Sequence, residues 1–149
     1  MKFQEILSQL PYSPPFLFVD KILHIDDNSA IGEFYFNKEM SFYEGHFKNN
    51  AITPGVILTE CCAQIGLVCL GIYLINKSKN LDIHEAGVIL TSSNMEFLKP
   101  VYPEEKVKVV SEKVYFRFNK LKCKVKMFNH VNELICKGEI AGFIKSTQK

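Results

Sequence analysis

The sequence predicts an α+β fold in which an antiparallel sheet of about six strands wraps around one long helix. Strand-like segments flank a single apolar run from Val56 to Ile75, whose strongly polar members are only Thr59, Glu60 and Gln64. The segments are joined by short turns, which favour antiparallel pairing. The chain of 149 residues is 47% hydrophobic and 23% charged, which suits one domain spanning residues 1–149.

The first third of the chain predicts a short helix and two strands. Phe3, Ile6, Leu7 and Leu10 follow helical spacing, and Pro11 ends that helix. The apolar segments at residues 16–25 and 30–36 read as strands, and the short turn between them predicts an antiparallel pair. Residues 37–53 show no clean period and are predicted to form a long loop.

The apolar run from Val56 is predicted to be the central helix. Pro54 suits the first helical position, and Thr53 is the predicted N-cap. The length would allow a membrane span. Glu60 and Gln64 argue against it, because they stand at i and i+4 on one face of an otherwise apolar helix. We therefore expect a helix buried at the centre of the fold, with no membrane span.

Four strands are predicted after the helix, at residues 86–97, 106–116, 121–128 and 133–144. Lysines alternate with apolar residues in the second and third of these, so one face of the sheet is predicted to be buried and the other solvated. One sheet on one helix leaves open strand edges and apolar surface, which predicts a homodimer.

The cysteines and the charges limit the choice of compartment and partner. The five cysteines lack paired zinc-site spacing, so we expect free buried thiols in a reducing, cytoplasmic setting. The N-terminus has no signal-peptide pattern, and we expect neither metal nor cofactor. Residues 1–96 carry a net charge of −5 and residues 97–149 carry +7. This asymmetry predicts an acidic partner, and no nucleic-acid-binding motif accompanies it.

Two side chains stand out as candidates for acid–base chemistry. His46 lies in a loop ahead of the helix start at Gly55, where free N–H groups could polarise a carbonyl oxygen. Histidine can accept a proton near neutral pH. Burial would keep a proton on Glu60, although a partly exposed acid, or a buried one satisfied by Gln64, fits the pattern as well. A base, an acid and a carbonyl polariser suit elimination of water β to a carbonyl.

The other three histidines are expected to be surface groups. His24 falls at a strand end, His84 in a polar loop and His130 in a turn. None of them is followed by a helix start as His46 is by Gly55. The histidine assigned to chemistry is therefore His46 alone.

The stretch "GHFKNNAITPGVILTECCAQ" resembles the signature of bacterial 3-hydroxyacyl-[acyl-carrier-protein] dehydratases. The segments "LPYSPPFLFVDKI" and "MEFLKPVYPEEKV" are similar to two further segments of that family, so the resemblance covers nearly the whole chain. It implies a hot-dog fold, with the central helix wrapped by the sheet. It also implies a homodimer, often assembled into a trimer of dimers, with active sites at the dimer interface.

The resemblance implies a role for each matching residue. His46 would take the C2 proton, Glu60 of the other subunit would protonate the departing 3-hydroxyl, the backbone N–H of Gly55 would bind the thioester carbonyl, and Gln64 would orient Glu60. The substrate is implied to be an acyl chain linked through phosphopantetheine to an acyl carrier protein. We also predict which residues contact the substrate and its carrier. The predicted substrate tunnel is lined by Phe47, Val56 and Phe97, and the predicted carrier-docking residues are Lys99, Arg117, Lys120 and Lys122.

The sequence departs from the family pattern without losing a catalytic group. Lys48-Asn49 and Ala51 replace family Pro and Gly positions beside His46, Tyr12-Ser13-Pro14 replaces a His-Arg-Tyr, and Glu104 replaces a Gly. A loop without those constraints is freer to move. Our hypothesis is a specialised dehydratase from a dedicated acyl or polyene-pigment pathway.

Two other functions fit the same fold. A hot-dog thioesterase would use an acid and a positioned water, and would not need the His-Phe loop before Pro-Gly. A non-catalytic acyl-binding module would not need both His46 and Glu60. Both alternatives are less well matched to the sequence than a dehydratase.

Overall fold

The computed structural model describes residues 2–79 and 86–146, and in this part of the chain six strands form one antiparallel sheet. The sheet order is β1-β2-β4-β5-β6-β3, which leaves β1 and β3 as the edge strands. The strands are β1 (Lys21–Ile25), β2 (Ser29–Tyr35), β3 (Ala86–Phe97), β4 (Lys106–Arg117), β5 (Lys120–Phe128) and β6 (Leu134–Ser146).

The central helix lies in the concavity of the sheet and consists of three successive segments. An α-helical part (α2, Gly55–Ala63) leads into a π-helical part (Gln64–Cys69) and then a second α-helical part (α3, Leu70–Lys79). All six residues of the π-helical part are buried. The predicted buried central helix is therefore confirmed. A short N-terminal helix (α1, Phe3–Ser8) and a 3-10 turn (Ser41–Glu44) complete the description.

The sheet packs on this helix through one face. Val107 and Val109 of β4, and Cys123, Val125 and Met127 of β5, are each at most 1% exposed. The lysines between them in sequence lie on the outer face, which confirms the prediction made from the period-2 alternation.

Gly66 allows the close approach of helix and sheet. A Cβ atom at this position would lie 2.9 Å from side-chain atoms of both Ser111 and Val125. The buried hydroxyl of Ser111 donates to the carbonyl of Gly66 at 2.9 Å. This bond satisfies a polar group of the strand in the core, where an unpaired hydroxyl would be costly.

The first predicted strand was wrong over its first half. The strand starts at Lys21, not at Phe16. The backbone N–H of Phe18 donates to Gln64 Oε1 at 2.7 Å, and Gln64 Nε2 donates to the carbonyl of Phe16 at 3.1 Å. These backbone groups are bound to the central helix and not to a neighbouring strand, which explains why an apolar segment there is not part of the sheet.

The predicted N-cap was also wrong. The helix is capped by Pro54 without a side-chain bond, and the hydroxyl of Thr53 pairs with the hydroxyl of Tyr43 at 2.6 Å. The backbone N–H of Thr53 donates to Val101 at 2.8 Å. Thr53 therefore anchors the preceding loop to the body of the fold and does not terminate the helix.

Within the described residues, one helix (Gly55–Lys77) is long and apolar enough to cross a membrane, and 72% of its most apolar window is buried inside the fold. All five cysteines are free and buried. Edge strand β3 extends over 12 residues and carries exposed apolar side chains at Ile89 and Leu90. A long apolar edge of this kind is a surface for strand pairing with another chain.

Candidate active site

The loop before the central helix holds His46 by both its backbone and its ring. The backbone N–H of His46 donates to Phe42 at 3.0 Å, and the carbonyl of His46 accepts from Ile52 at 2.9 Å. The ring stacks on Phe47 with 4.1 Å between centroids. These contacts fix the half-buried imidazole just ahead of the helix start.

The hydrogen bond at the ring assigns the tautomer of His46. Nδ1 lies 2.8 Å from the carbonyl oxygen of Ile52, and a carbonyl oxygen can only accept. Nδ1 therefore carries the proton, and Nε2 carries the free lone pair that a general base needs. Sequence reasoning missed the carbonyl of Ile52, because a backbone group leaves no signal in a residue pattern.

His46 opens onto a pocket of about 320 Å³ at the start of the helix. The pocket is also lined by Gly55 and Leu58 of the helix, and by the segment at the end of β3 that includes Phe97 and Lys99. A Cβ at position 55 would lie 3.4 Å from the Phe97 ring, so glycine lets the ring cover the helix start closely. The bonds of the helix begin with the N–H of Ile57, which donates to Pro54, so the N–H of Gly55 precedes them and can bind a carbonyl oxygen here.

Glu60 and Gln64 form the predicted pair on one face of the helix. Gln64 Nε2 donates to Glu60 Oε2 at 2.9 Å. The remaining polar atoms of this fully buried amide are held by Phe16 and Phe18, so Gln64 cannot rotate away. Burial raises the pKa of Glu60, and the hydrogen bond from Gln64 partly opposes that rise.

Tyr12 is a neighbour of Glu60 that sequence reasoning did not assign to the site. Burial, and secondarily the charge of Glu60, raise the pKa of Tyr12 to about 12. Its hydroxyl thus stays protonated and can act as a hydrogen-bond donor. The signal in the sequence was the departure at Tyr12 from the family's usual histidine, which was read only as a change in the loop.

His46 and Glu60 lie on different sides of the helix within one protomer. Gly55 and Leu58 face the pocket that His46 lines. Around the helix axis, Glu60 is rotated about 140° from Gly55, five residues earlier, and about 200° from Leu58, two residues earlier. Glu60 instead faces the segment that contains Tyr12 and Phe16. Within one protomer the two side chains therefore do not form a common site.

Three comparisons place the sequence among known proteins. The FabA-like domain matches residues 10–141. The chain is 35% identical to a 3-hydroxyacyl-[acyl-carrier-protein] dehydratase FabZ from Sinorhizobium medicae, with 97% of this chain and 90% of the relative covered. It is 30% identical to a FabZ from a Roseiflexus species, with 94% of each chain covered. The chain belongs to the FabZ-like family of dehydratases.

The FabZ-like chain also shares its fold with solved structures. It superposes on the dehydratase heterocomplex ApeI:P from Xenorhabdus doucetiae with a TM-score of 0.77, at 10% identity over 97% of this chain and 91% of that chain. It superposes on a hypothetical thioesterase with coenzyme A from Streptococcus pneumoniae with a TM-score of 0.60, at 13% identity over 87% and 88%. At these identities the likeness concerns the fold alone, and the predicted hot-dog fold is confirmed.

Of the three predicted tunnel residues, only Phe97 lines the pocket beside His46 within the protomer. Phe47 is 55% exposed and Val56 is 76% exposed, and neither lines the pocket within the protomer. An apolar residue so exposed at a helix start is available for contact with a second chain or a ligand.

The four predicted docking residues do not form one patch on the FabZ-like protomer. Lys99 lies at the pocket and forms an ion pair with Glu133. Arg117, Lys120 and Lys122 lie at the opposite end of β4 and β5, about 20 to 25 Å away along β5. Sequence position could not reveal this separation, because it depends on the register of β3 against β6.

The other features of the FabZ-like chain lie outside this pocket. His24 and His130 are exposed, as predicted, and His84 lies outside the described residues. The loop tip at Lys48 and Asn49 is exposed and closed by reciprocal backbone bonds between Phe47 and Asn50. A larger pocket of about 550 Å³ near Pro15, Phe34 and Met40 contains none of the predicted site residues.

Proposed function

We propose that this protein removes water from (3R)-3-hydroxyacyl-[acyl-carrier-protein] to give the trans-2-enoyl product in fatty-acid biosynthesis. The observation that carries the proposal is the 35% identity to a FabZ dehydratase over nearly the whole chain, with His46 and Glu60 present at the signature positions. The protonated Nδ1 of His46 and the raised pKa of Glu60 support the same chemistry.

The proposed elimination moves one proton at each end of the reacting bond. His46 Nε2 takes the C2 proton, and the N–H of Gly55 stabilises the negative charge that develops on the thioester oxygen. The electron pair forms the C2–C3 double bond as the C3–O bond breaks. Glu60, which burial favours in its protonated form, gives its proton to the departing hydroxyl, and water leaves.

We propose that each active site is shared between two protomers. His46 and Gly55 would come from one protomer and Glu60 from its partner, because within a protomer the acid lies on another side of the helix. The exposed edge strand β3 supports a homodimer joined there by antiparallel pairing. A trimer of such dimers remains a further proposal from the family resemblance.

Antiparallel pairing of the β3 strands would also unite the separated docking residues. The C-terminal end of β3, next to Lys99, would lie beside the N-terminal end of the partner strand. At that end Ile89 pairs with Phe143, and Phe143 pairs with Lys120. We therefore propose a carrier-docking surface that combines Lys99 of one protomer with Arg117, Lys120 and Lys122 of its partner.

Two finer assignments are also proposals. The five free buried cysteines support a cytoplasmic protein. The single six-stranded sheet supports one domain over residues 1–149. The specialised substrate, such as an acyl chain of a polyene pathway, rests on the exposed Lys48-Asn49 loop tip. Comparing turnover on saturated and polyunsaturated acyl carriers tests it, and an equal or higher rate on saturated chains would reject it.

A single assay tests the proposed reaction against the two alternative functions. The protein is incubated with a 3-hydroxyacyl thioester while the absorbance of the conjugated enoyl thioester and the release of free thiol are followed. We expect conjugated product without free thiol. Free thiol without conjugation would identify a thioesterase, and binding of the thioester with neither product would identify a non-catalytic acyl-binding module.

A further inference from the structure

The turn between β4 and β5 places an aromatic side chain where such residues are rarely found. Phe118 and Asn119 form the two-residue loop, with φ of 51° and 60°. Hairpin loops of this kind favour Asn and Gly, because both central residues need a left-handed backbone. Phenylalanine is strained in that region, and here its side chain is also 93% exposed. Phe118 thus strains the turn and gains no stabilising burial in return.

The turn that carries Phe118 is hydrogen-bonded to β6 and is flanked by two positively charged side chains. The carbonyl of Asn119 accepts from the backbone N–H of Ile144 at 2.9 Å, which ties the turn to β6. The Arg117 guanidinium lies 4.6 Å from the centre of the Tyr115 ring. Lys120 Nζ lies 5.9 Å from the centre of the Phe143 ring on β6.

The charge around the ring is of one sign. Neither Arg117 nor Lys120 forms an ion pair with an acid in the described part of the chain. The sequence contains no acidic residue between Val114 and Asn132, while it contains five basic ones. The tip of this hairpin therefore carries the exposed Phe118 ring between the cations of Arg117 and Lys120. A partner surface complementary to it would offer an apolar contact surrounded by carboxylates.

We propose that Phe118 is an apolar anchor for the acidic acyl carrier protein. The ring would pack against an apolar side chain on the carrier while Arg117 and Lys120 meet carboxylates around it. This inference rests on the proposed function, which requires a carrier to dock and leave at every turnover. One small apolar contact within a charged rim suits a transient interface of that kind.

Other partners fit the tip less well. Binding of single-stranded nucleic acid uses several aromatic rings on which successive bases stack, and this tip has one. An anionic membrane would need a broader apolar face on the same surface than a single hairpin tip supplies. The acidic carrier is the partner whose size and chemistry match one ring and two adjacent cations.

The substitution Phe118→Gly separates the anchor from a structural role. Glycine adopts the left-handed backbone without strain, so the melting temperature should stay the same or rise. The dissociation constant for the 3-hydroxyacyl-loaded carrier, and KM for that substrate, should rise by about fivefold or more. KM for a small 3-hydroxyacyl thioester without carrier should not change. The matched control Asn119→Gly relaxes the same turn but keeps the ring, and should change neither constant.

Several outcomes would overturn the proposal. An unchanged carrier dissociation constant in Phe118→Gly would reject the anchor, even if both substrates were dehydrated normally. Equal losses on the carrier-bound and the small substrate would also reject it. Loss of binding to vesicles containing anionic lipid, with carrier binding unchanged, would assign the ring to a membrane. If wild-type protein bound the carrier through Phe118 but formed no enoyl product, the docking role would stand and the proposed reaction would fail.

Discussion

Glu60→Gln is expected to lower kcat on a 3-hydroxyacyl thioester by about a thousandfold, because the variant has no proton to give to the departing hydroxyl. The glutamine can accept the hydrogen bond that Gln64 now donates to Glu60, so the local structure should persist. The measurement is the initial rate of conjugated enoyl formation under saturating substrate. Retention of more than about a tenth of the wild-type rate would exclude Glu60 as the general acid.

The pH dependence gives the same prediction a second test. The acid must hold its proton, so the wild-type rate should fall as pH rises through the pKa of Glu60, which burial raises. Because the folded state holds that proton more tightly than the unfolded chain, ionisation at higher pH also weakens folding. The glutamine variant cannot ionise, and its melting temperature there should equal or exceed that of the wild type. Glu60→Asp, which keeps an acid, should lose less activity than Glu60→Gln.

His46→Ala should also lower kcat by about a thousandfold, since it removes the group that takes the C2 proton. The carbonyl of Ile52 holds Nδ1–H and leaves Nε2 as the base. Exchange of the C2 proton with deuterated solvent, followed by mass spectrometry, measures the lost step directly.

The matched control for His46→Ala is the same substitution at an exposed histidine. His24 lies on β1 and pairs with Asp26 at 2.8 Å, away from the pocket that His46 lines. His24→Ala should keep the wild-type rate. If the two alanine variants lost activity to the same extent, the base would have to be sought elsewhere.

Most of the fold could be predicted because its signals are local. The period-2 alternation of lysine with Val107, Val109, Cys123 and Val125 reports burial of one sheet face directly. The bounds of β3 agreed for the same reason. The prediction of a strand from Phe16 to Val19 was wrong, because an apolar sequence indicates burial but not which groups the backbone binds. Its backbone binds Gln64, 46 residues further along the chain.

Candidate side chains for the site could be named from the sequence, but their arrangement could not. His46 and Glu60 were candidates from their residue types and positions, and the family resemblance implied roles for Gly55 and Gln64. The orientation of His46 by a backbone carbonyl could not be read from residue types. Thr53 was misassigned because its competing partner, Tyr43, lies in a loop with no periodic signal.

The position of charged and aromatic surface groups depends on strand register. The register is determined by all the strand pairs of the sheet together, so a local stretch of sequence does not reveal it. Lys99 and Lys120 both belong to the basic C-terminal half of the sequence. The pairing of β3, β6 and β5 nevertheless places them at opposite ends of the sheet. The sequence does not distinguish Phe118 from other aromatic residues, because its exposure and its left-handed backbone are properties of the folded turn.

Mixing two inactive variants tests most directly whether His46 and Glu60 of different protomers form one dehydratase site. His46→Ala and Glu60→Gln protomers are purified separately, unfolded, mixed in equal amounts and refolded, with formation of mixed dimers verified by native mass spectrometry. A mixed dimer holds one site with both groups intact, so the mixture should regain about a quarter of the wild-type rate of enoyl formation. Mixed dimers that form and remain inactive would contradict the shared site.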